Sequence, residues 1–341
     1  MKDFIIITGS YPPDICGMAD AMPFLLNTKT GQNWDIYYQK DWRFFTILKH
    51  IRQIKDTRAK YILMQFPTRG YGWSIVPHLL CVYFSWFTNR RFGVIVHEQS
   101  QLSLKAYLVE LLILISANRI IFTTQYERNY AIKRIPFISK RSTIVKIVSN
   151  ITASSKIRPV EERSINIIYF GQIMPQKGLE KFIIDVTSLT KHYKAVIAGQ
   201  VPPMFAGYYK KIENLCIQTG IQLKINLNQT EVSELLNDAK VAYLPFPDGI
   251  SERRGSVLAS FINGAIVVTT FGKFTTKELE KATIDVSEQS LQNILCNNAL
   301  LKTKQQAGLA YMCTQLPRGW EEIAKAYEDF IKEDNYNYYI K

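Results

Sequence analysis

Short, unbroken apolar runs recur along the chain. Each is followed by a polar loop rich in glycine or proline, and then by apolar residues at helical spacing. In the first half the runs are Phe4 to Thr8, Trp34 to Tyr38, Tyr61 to Gln65, Phe92 to Val96, Arg119 to Thr124 and Ile144 to Val148. In the second half they are Ile165 to Phe170, Ala195 to Ala198, Ile221 to Leu227, Val241 to Leu244 and Ile266 to Thr269. Unbroken rather than alternating hydrophobicity marks strands buried on both faces, as in parallel sheets. The intervening segments predict helices over Arg43–Lys60, 71–87, Lys105–Ser116, Leu179–Leu189, Tyr208–Gly220 and Glu231–Ala239, with another starting at Tyr126. Alternation of strand and helix predicts an α/β fold. A polar stretch, ITASSKIRPVEERS, separates two such series. It suggests a first domain over residues 1–150, a linker over 151–164, a second domain over 165–316, and a final helix and tail over 317–341.

The stretch from Val241 to Thr270 reads as strand, loop, helix, strand. Pro245, Pro247, Asp248 and Gly249 end the first strand, and Asn263-Gly264 stops the helix. Ser251 is the expected helix cap, and Gly255 lets backbone approach a ligand. Arg253 and Arg254 fall at the helix start, where cations oppose the helix dipole unless an anion is present. A polar loop entering a helix at the carboxyl end of a parallel strand is where such sheets bind anions. Two readings stand: a diphosphate site containing Ser251, Glu252, Arg253, Arg254, Gly255 and Ser256, or a solvated charged loop. Two other loops have related chemistry. After Phe170 comes GQIMPQKG, with Gly171 and Lys177; after Thr8 comes GSYPPDICG, with Gly17, and then Asp20. The run Phe92 to Val96 delivers His97 and Glu98 to a strand end. A histidine there serves in catalysis, holds a sugar hydroxyl, or is structural.

The charge distribution narrows the partners. The chain has 341 residues and a formal net charge of +13. Residues 1–150 carry 20 Lys and Arg against 9 Asp and Glu, a balance of +11; the remainder carries 22 against 20, a balance of +2. A basic first half suits anionic lipid, nucleic acid or a phosphorylated acceptor, or serves solubility alone. The segment 71–87 is strongly apolar but shorter than the roughly 20 residues a membrane-spanning helix needs. The apolar run at residues 4–8 is strand-length and lacks a signal-peptide cleavage pattern. Five scattered cysteines with no CxxC pair suggest a reduced, cytoplasmic setting rather than a disulfide framework or zinc site.

Taken together, YPPDICG, GQIMPQKG, the stretch DAKVAYLPFPDGISERRGSVLASFINGAIVV and the late RGWEEIAKAYEDFI resemble the GT-B nucleotide-sugar glycosyltransferases. The similarity is greatest to retaining family 4, the group 1 glycosyltransferases, and covers residues 5 to 331. It implies two Rossmann-like domains facing each other across a cleft, with the last helix returning to the N-terminal domain. Departures accompany it. The family's paired glutamates correspond to Ser251 and Ala259, with Glu252 one residue from the first, and the family arginine of the glycine–lysine motif is Gln172.

The resemblance implies transfer of a sugar from a nucleoside diphosphate to an acceptor hydroxyl, in which stabilising the departing diphosphate is the main task. Lys177, Arg253 or Arg254 and the Gly17 loop are the candidates for that role; His97 is placed near the donor sugar, and Asp20 and Glu98 join it as sugar or acceptor contacts. No metal is expected, as no Asp-x-Asp motif or His/Cys cluster is present, and no cofactor beyond the nucleotide sugar. The implied partners are a nucleotide sugar and a lipid-diphosphate-linked saccharide at the inner membrane face, held there peripherally by the basic N-terminal domain. The setting is a surface polysaccharide or O-antigen. Arg43–Lys60, Tyr71–Phe87 and Lys133–Lys146 are the candidate membrane-docking segments. A catalytically inactive GT-B scaffold is the alternative. A nucleic-acid-binding module is a third reading, but no recognised nucleic-acid motif supports it.

Overall fold

The apolar runs form strands, and every strand pairing in the computed structural model is parallel. The structure describes residues 2–14, 17–100 and 102–333. Ile15 and Cys16 of the first glycine loop, and the last eight residues of the expected tail, lie outside them. Two units emerge: Met1–Ile147 with Pro317–Lys341, and Val148–Leu316.

The strands of the first unit are β1 (Phe4–Thr8), β2 (Trp34–Tyr38), β3 (Tyr61–Phe66), β4 (Arg91–Val96), β5 (Arg119–Phe122) and β6 (Ser142–Ile144). Their order is β2-β1-β3-β4-β5-β6. Helices α1 (Gly17–Leu26), α2 (Ile47–Asp56), α3 (Val76–Trp86), α4 (Leu104–Ser116) and α5 (Gln125–Arg134) connect them. Ile5, Ile7, Ile62, Met64, Val94 and Phe122 from the sheet pack with Leu80, Phe84 and Ile113 from the helices. Each such side chain contributes about 1.5–3 kcal/mol by leaving water.

Three expectations need correction here. The helix expected over 71–87 starts only at Val76, because Tyr71 closes a 3₁₀ turn and Gly72 takes a φ of +57°. The helix expected over Arg43–Lys60 is a 3₁₀ turn at Phe44–Thr46 followed by α2, which ends where Arg58 takes a φ of +57°. Its expected stripe also divides. Ile54 is buried and Ile47 and Ile51 pack against the core, whereas Phe44 and Leu48 stay in solvent. The last strand of this unit lies earlier than Ile144–Val148. Pairing with β5 spans Ser142–Ile144, and Val148 is buried by packing rather than by a ladder.

The second unit contains β7 (Ile165–Phe170), β8 (Ala195–Gly199), β9 (Gln222–Ile225), β10 (Ala239–Leu244), β11 (Ile266–Thr269) and β12 (Ile284–Asp285), ordered β12-β11-β10-β7-β8-β9. Helices α6 (Leu179–Thr187), α7 (Ala206–Thr219), α8 (Gln229–Asn237), α9 (Gly255–Ile262), α10 (Lys277–Ala282), α11 (Leu291–Cys296) and α12 (Asn298–Gln315) complete it. The stretch 151–164 folds onto this unit. Buried Arg163 donates to the carbonyls of Arg158 (3.0 Å), Ala239 (2.7 Å) and Asn263 (3.2 Å). Ser154 bonds the Asn263 side chain through both its N–H and its hydroxyl.

The final helix, α13 (Trp320–Lys332), belongs to the first unit. Ile323, Ala324, Tyr327 and Ile331 are its buried face. The Trp34 indole donates to Glu328 at 2.7 Å. Arg91 and Arg119 donate to the carbonyls of Phe330, Ile331 and Glu333. Cations on the last carbonyls of a helix satisfy groups that have no partner within it and complement its dipole.

Both sheets change winding direction once, between β1 and β3 in the first unit and between β7 and β10 in the second. In open parallel sheets the loops at the carboxyl ends of such strands splay apart and leave a ligand-binding crevice.

Candidate active site

In the second unit the switch point is framed by the loop after β7 and the loop after β10. They meet closely: a Cβ on Gly178 would lie 2.0 Å from the carbonyl oxygen of Pro245. Gly178 also has a φ of +79°, so the position requires glycine twice over. The fully buried Tyr169 ring lies beneath, and its hydroxyl donates to the Lys177 carbonyl at 3.1 Å. Burial raises the pKa of that phenol, and the nearby positive charge of Arg254 partly offsets the rise. The Lys177 backbone and the Arg254 charge therefore share one neighbourhood around Tyr169.

The arginine pair separates. The Arg254 guanidinium lies over the Phe246 ring at 4.5 Å and pairs with Asp248. Arg253 lies over Phe274, 5.7 Å from the ring centroid, and Lys273 stands over the same ring at 4.6 Å. The loop after β11 that carries Lys273 is tied to the loop after β10. Ile250 donates its N–H to Thr270 at 2.9 Å, and the Thr275 hydroxyl donates to Ile250 at 3.2 Å. Three strand ends thus bring Lys177, Arg253, Arg254 and Lys273 to one edge of the sheet. Aromatic faces beneath cations hold them by electrostatic attraction to the ring quadrupole.

Ser251 does not cap the helix. α9 begins at Gly255, with Arg254 in the cap position and no side-chain cap. The Ser251 hydroxyl is buried and finds no hydrogen-bond partner among the described residues. The physical reason is the turn between them: the Arg254 N–H bonds the Ser251 carbonyl at 3.2 Å, which places Ser251 a full turn before the helix. Uncapped N–H groups at a helix start favour an anion. Glu252 is buried, and burial first, then the Glu252 charge, raise the pKa of the Tyr311 hydroxyl. Gly255 is exposed with open space beside it, and the half-buried Ser256 accepts from the Ser260 hydroxyl through its carbonyl. Gly171 packs against the Tyr169 ring.

In the first unit the loops after β1 and β3 interlock, and a Cβ on Gly70 would lie 1.4 Å from the Gly9 carbonyl oxygen. Gly17 starts α1 and is exposed, and a Cβ there would meet no atom of the described residues within 4 Å. Asp20 lies in the first turn of α1, where burial pushes its carboxyl up to about 6. His97 and Glu98 follow β4 directly. The His97 N–H donates to Phe66 at 3.0 Å, and its carbonyl accepts from the Thr123 hydroxyl at 3.4 Å.

A carboxylate not singled out from the sequence fixes this loop. Buried Glu127 accepts from the N–H of Gln99 (3.0 Å), the N–H of Ser100 (2.8 Å) and the Ser100 hydroxyl (2.8 Å). Beside it, Glu110 is buried with neither carboxyl oxygen hydrogen-bonded among the described residues. Burial, then the charges of Glu127 and Glu98, push it up to about 8. Thr124-x-x-Glu127 reads in sequence as a helix cap, and Thr124 does accept the Glu127 N–H, but the carboxylate reaches the neighbouring loop instead. Lys273 was equally hidden, since nothing in its local pattern links it to Phe274 and Arg253. Among the described residues, no group of three or more His, Cys, Asp or Glu is disposed to hold a metal ion.

The fold is that of the GT-B proteins. A glycosyltransferase from Rickettsia africae superposes with a TM-score of 0.69 at 10% identity, covering 98% of this chain and all of the other. HepE of Anabaena, solved in complex with UDP and glucose, gives 0.66 at 14% identity over 95% of this chain and 98% of its own. The lipopolysaccharide outer core galactosyltransferase WaaB gives 0.62 at 9% identity, over 97% of this chain and 99% of its own. No protein-family model and no curated protein matches the sequence.

Proposed function

We propose that this protein is a nucleotide-sugar-dependent glycosyltransferase, similar to the retaining family 4 enzymes. The observation that carries the reading is the cationic rim at the switch point of the second unit, within a fold whose solved neighbours bind UDP, UDP-glucose or ADP. During transfer the bond from the anomeric carbon to the diphosphate breaks and a bond to the acceptor oxygen forms. The acceptor proton passes to a phosphate oxygen of the leaving group. Negative charge grows on the diphosphate, and preorganised cations and helix amides stabilise it. Lys177, Arg254 and the amides at the start of α9 take this role, with Arg253 at the margin. Gly171 and Gly255 give the phosphates room, with Ser256 beside them. His97 and Glu98 hold sugar hydroxyls, Glu127 acts as a positioning residue through their loop, the Gly17 loop joins the diphosphate contacts, and Asp20 takes a sugar or acceptor contact.

The acceptor we favour is a lipid-diphosphate-linked saccharide in surface polysaccharide or O-antigen synthesis. The basic first half would draw the protein to an anionic membrane face; no helix among the described residues is long and apolar enough to cross a membrane. A second reading, a nucleotide-binding scaffold without turnover, is favoured by Ser251 and Ala259 standing where the family has glutamates.

A thermal-shift screen with UDP, GDP, dTDP, CMP and an oligonucleotide tests the class. Stabilisation by one nucleoside diphosphate is expected. Indifference to all four nucleotides, or stabilisation by the oligonucleotide alone, would overturn it. Transfer assays with the matching nucleotide sugar then separate the enzyme from the scaffold.

A further inference from the structure

We infer that the loops after β2 and β3 form an apolar tip that inserts into an anionic bilayer surface. This rests on the membrane-face reading above and narrows it to one edge of the first unit.

Four large apolar side chains stand in water there: Phe44 is 65% exposed, Phe45 72%, Leu48 75% and Trp73 97%. They do not belong to frayed chain. Trp42, buried between the two loops, stacks on the His50 ring at 4.4 Å and meets the edge of Tyr71 at 4.7 Å. Its indole N–H donates to Gln39 at 2.7 Å, and the Ser74 hydroxyl donates to its carbonyl. The Tyr37 hydroxyl contacts His50 at 2.8 Å from beneath. A packed aromatic platform therefore projects the exposed rings, so their exposure costs hydrophobic free energy that nothing within the unit recovers.

The charges around the tip identify what covers it. Residues 39–55 and 67–75 hold Lys40, Arg43, Lys49, Arg52, Lys55 and Arg69 against a single acid, Asp41. All six basic residues are exposed. Helical spacing continues the Phe44–Leu48 row into Arg52 and sets Lys49 behind Phe45, so the apolar end leads and the cations follow. This is the chemistry of interfacial anchoring: aromatic and leucine side chains at the acyl boundary, cations at the phosphates. A second copy using the same face would set this cationic excess against itself, which favours the lipid surface over self-association. Of the other candidate segments, 71–87 also exposes Trp86 and Phe87, but these precede β4 and so lie at the opposite sheet edge from His97. In Lys133–Lys146, Arg141 is buried and donates to the carbonyls of Leu114 and Ile115. Exposed Leu108 and Leu112 lie on α4, whose sequence carries one basic residue, Lys105. Because all the strands are parallel, the tip lies at the same sheet edge as His97, where it would bring a lipid-linked acceptor to the site.

The test is sedimentation of the full chain with vesicles of phosphatidylcholine alone or mixed with phosphatidylglycerol. Binding to the mixed vesicles that weakens with salt is expected, with a blue shift of Trp73 emission. Substituting Phe44, Leu48 and Trp73 together by serine, or Lys49→Gln with Arg52→Gln, should each lower binding about tenfold or more. Unchanged thermal unfolding shows that these variants fold. Equal binding to both vesicle types, full binding by the tip variants, loss only with Leu108→Ser/Leu112→Ser, or a dimer that the tip variants dissociate while the wild type ignores vesicles would each overturn the inference. Nucleotide binding is scored separately. Its failure would overturn the transferase reading whatever the vesicles show.

Discussion

The two units present opposite chemistry at the same place in the same kind of sheet. At the strand ends of the first, carboxyl groups gather: Glu98, Glu110 and Glu127 around the loop after β4, with Asp20 at the start of α1. At the strand ends of the second, cations stand on aromatic rings. Net charge runs the other way, with the basic excess in residues 1–150 and near balance beyond. Net charge therefore reports on surfaces such as α2, whereas a few side chains at a switch point set the local field. A diphosphate suits the cationic rim, and hydroxyl-bearing sugars suit the carboxylates.

The contrast breaks most readily at the frame of the second site. Gly178→Ala should destabilise the protein by about 3 kcal/mol or more, since a positive φ and a backbone clash act together; urea unfolding measures it. A variant as stable as wild type would mean that the β7 and β10 loops do not meet as described. Next comes the division between the arginines. Arg254→Gln should weaken nucleoside diphosphate binding about 10- to 100-fold, through loss of a charge-assisted contact. Arg253→Gln should do less, and the reverse order would move the site toward Phe274.

In the first unit the effects are smaller. Glu127→Gln should cost about 1–2 kcal/mol, because an amide replaces one acceptor oxygen facing two N–H groups and a hydroxyl. It should also lower transfer by loosening the loop that carries His97 and Glu98. Glu110→Gln gives a pH signature. The folded carboxyl titrates at about 8, above its ordinary 4.5. Its contribution to stability is therefore greatest below 4.5 and falls as pH rises to about 8. The glutamine variant should lose that slope and gain on the wild type across the same interval, read from urea unfolding at several pH values. Parallel profiles would place Glu110 in contact with water.

These outcomes bear on what sequence could disclose. The strands other than β6 and β12, the helix stop at Asn263-Gly264 and the delivery of His97 and Glu98 to the end of β4 follow from local hydrophobic pattern and turn chemistry, and all were legible. The helix start at Gly255 was not, because the turn that excludes Ser251 depends on a backbone bond to Arg254. Nor was the division between Arg253 and Arg254. It is decided by Phe246 and Phe274, whose positions depend on how three loops pack. Residues between Thr270 and Leu316 gave little signal: α12 buries only Leu301, Gly308 and Tyr311 along 18 residues, too few for a clear stripe.

The central claim is that the cationic rim of the second unit binds the diphosphate of a nucleotide. Calorimetric titration tests it most directly, comparing the best nucleoside diphosphate of the screen with its unphosphorylated nucleoside on wild type and Arg254→Gln. The account predicts tight binding of the diphosphate by wild type, weak binding of the nucleoside, and loss of most of that difference in the variant. Equal affinity for the two ligands, or a difference that survives the substitution, would contradict it.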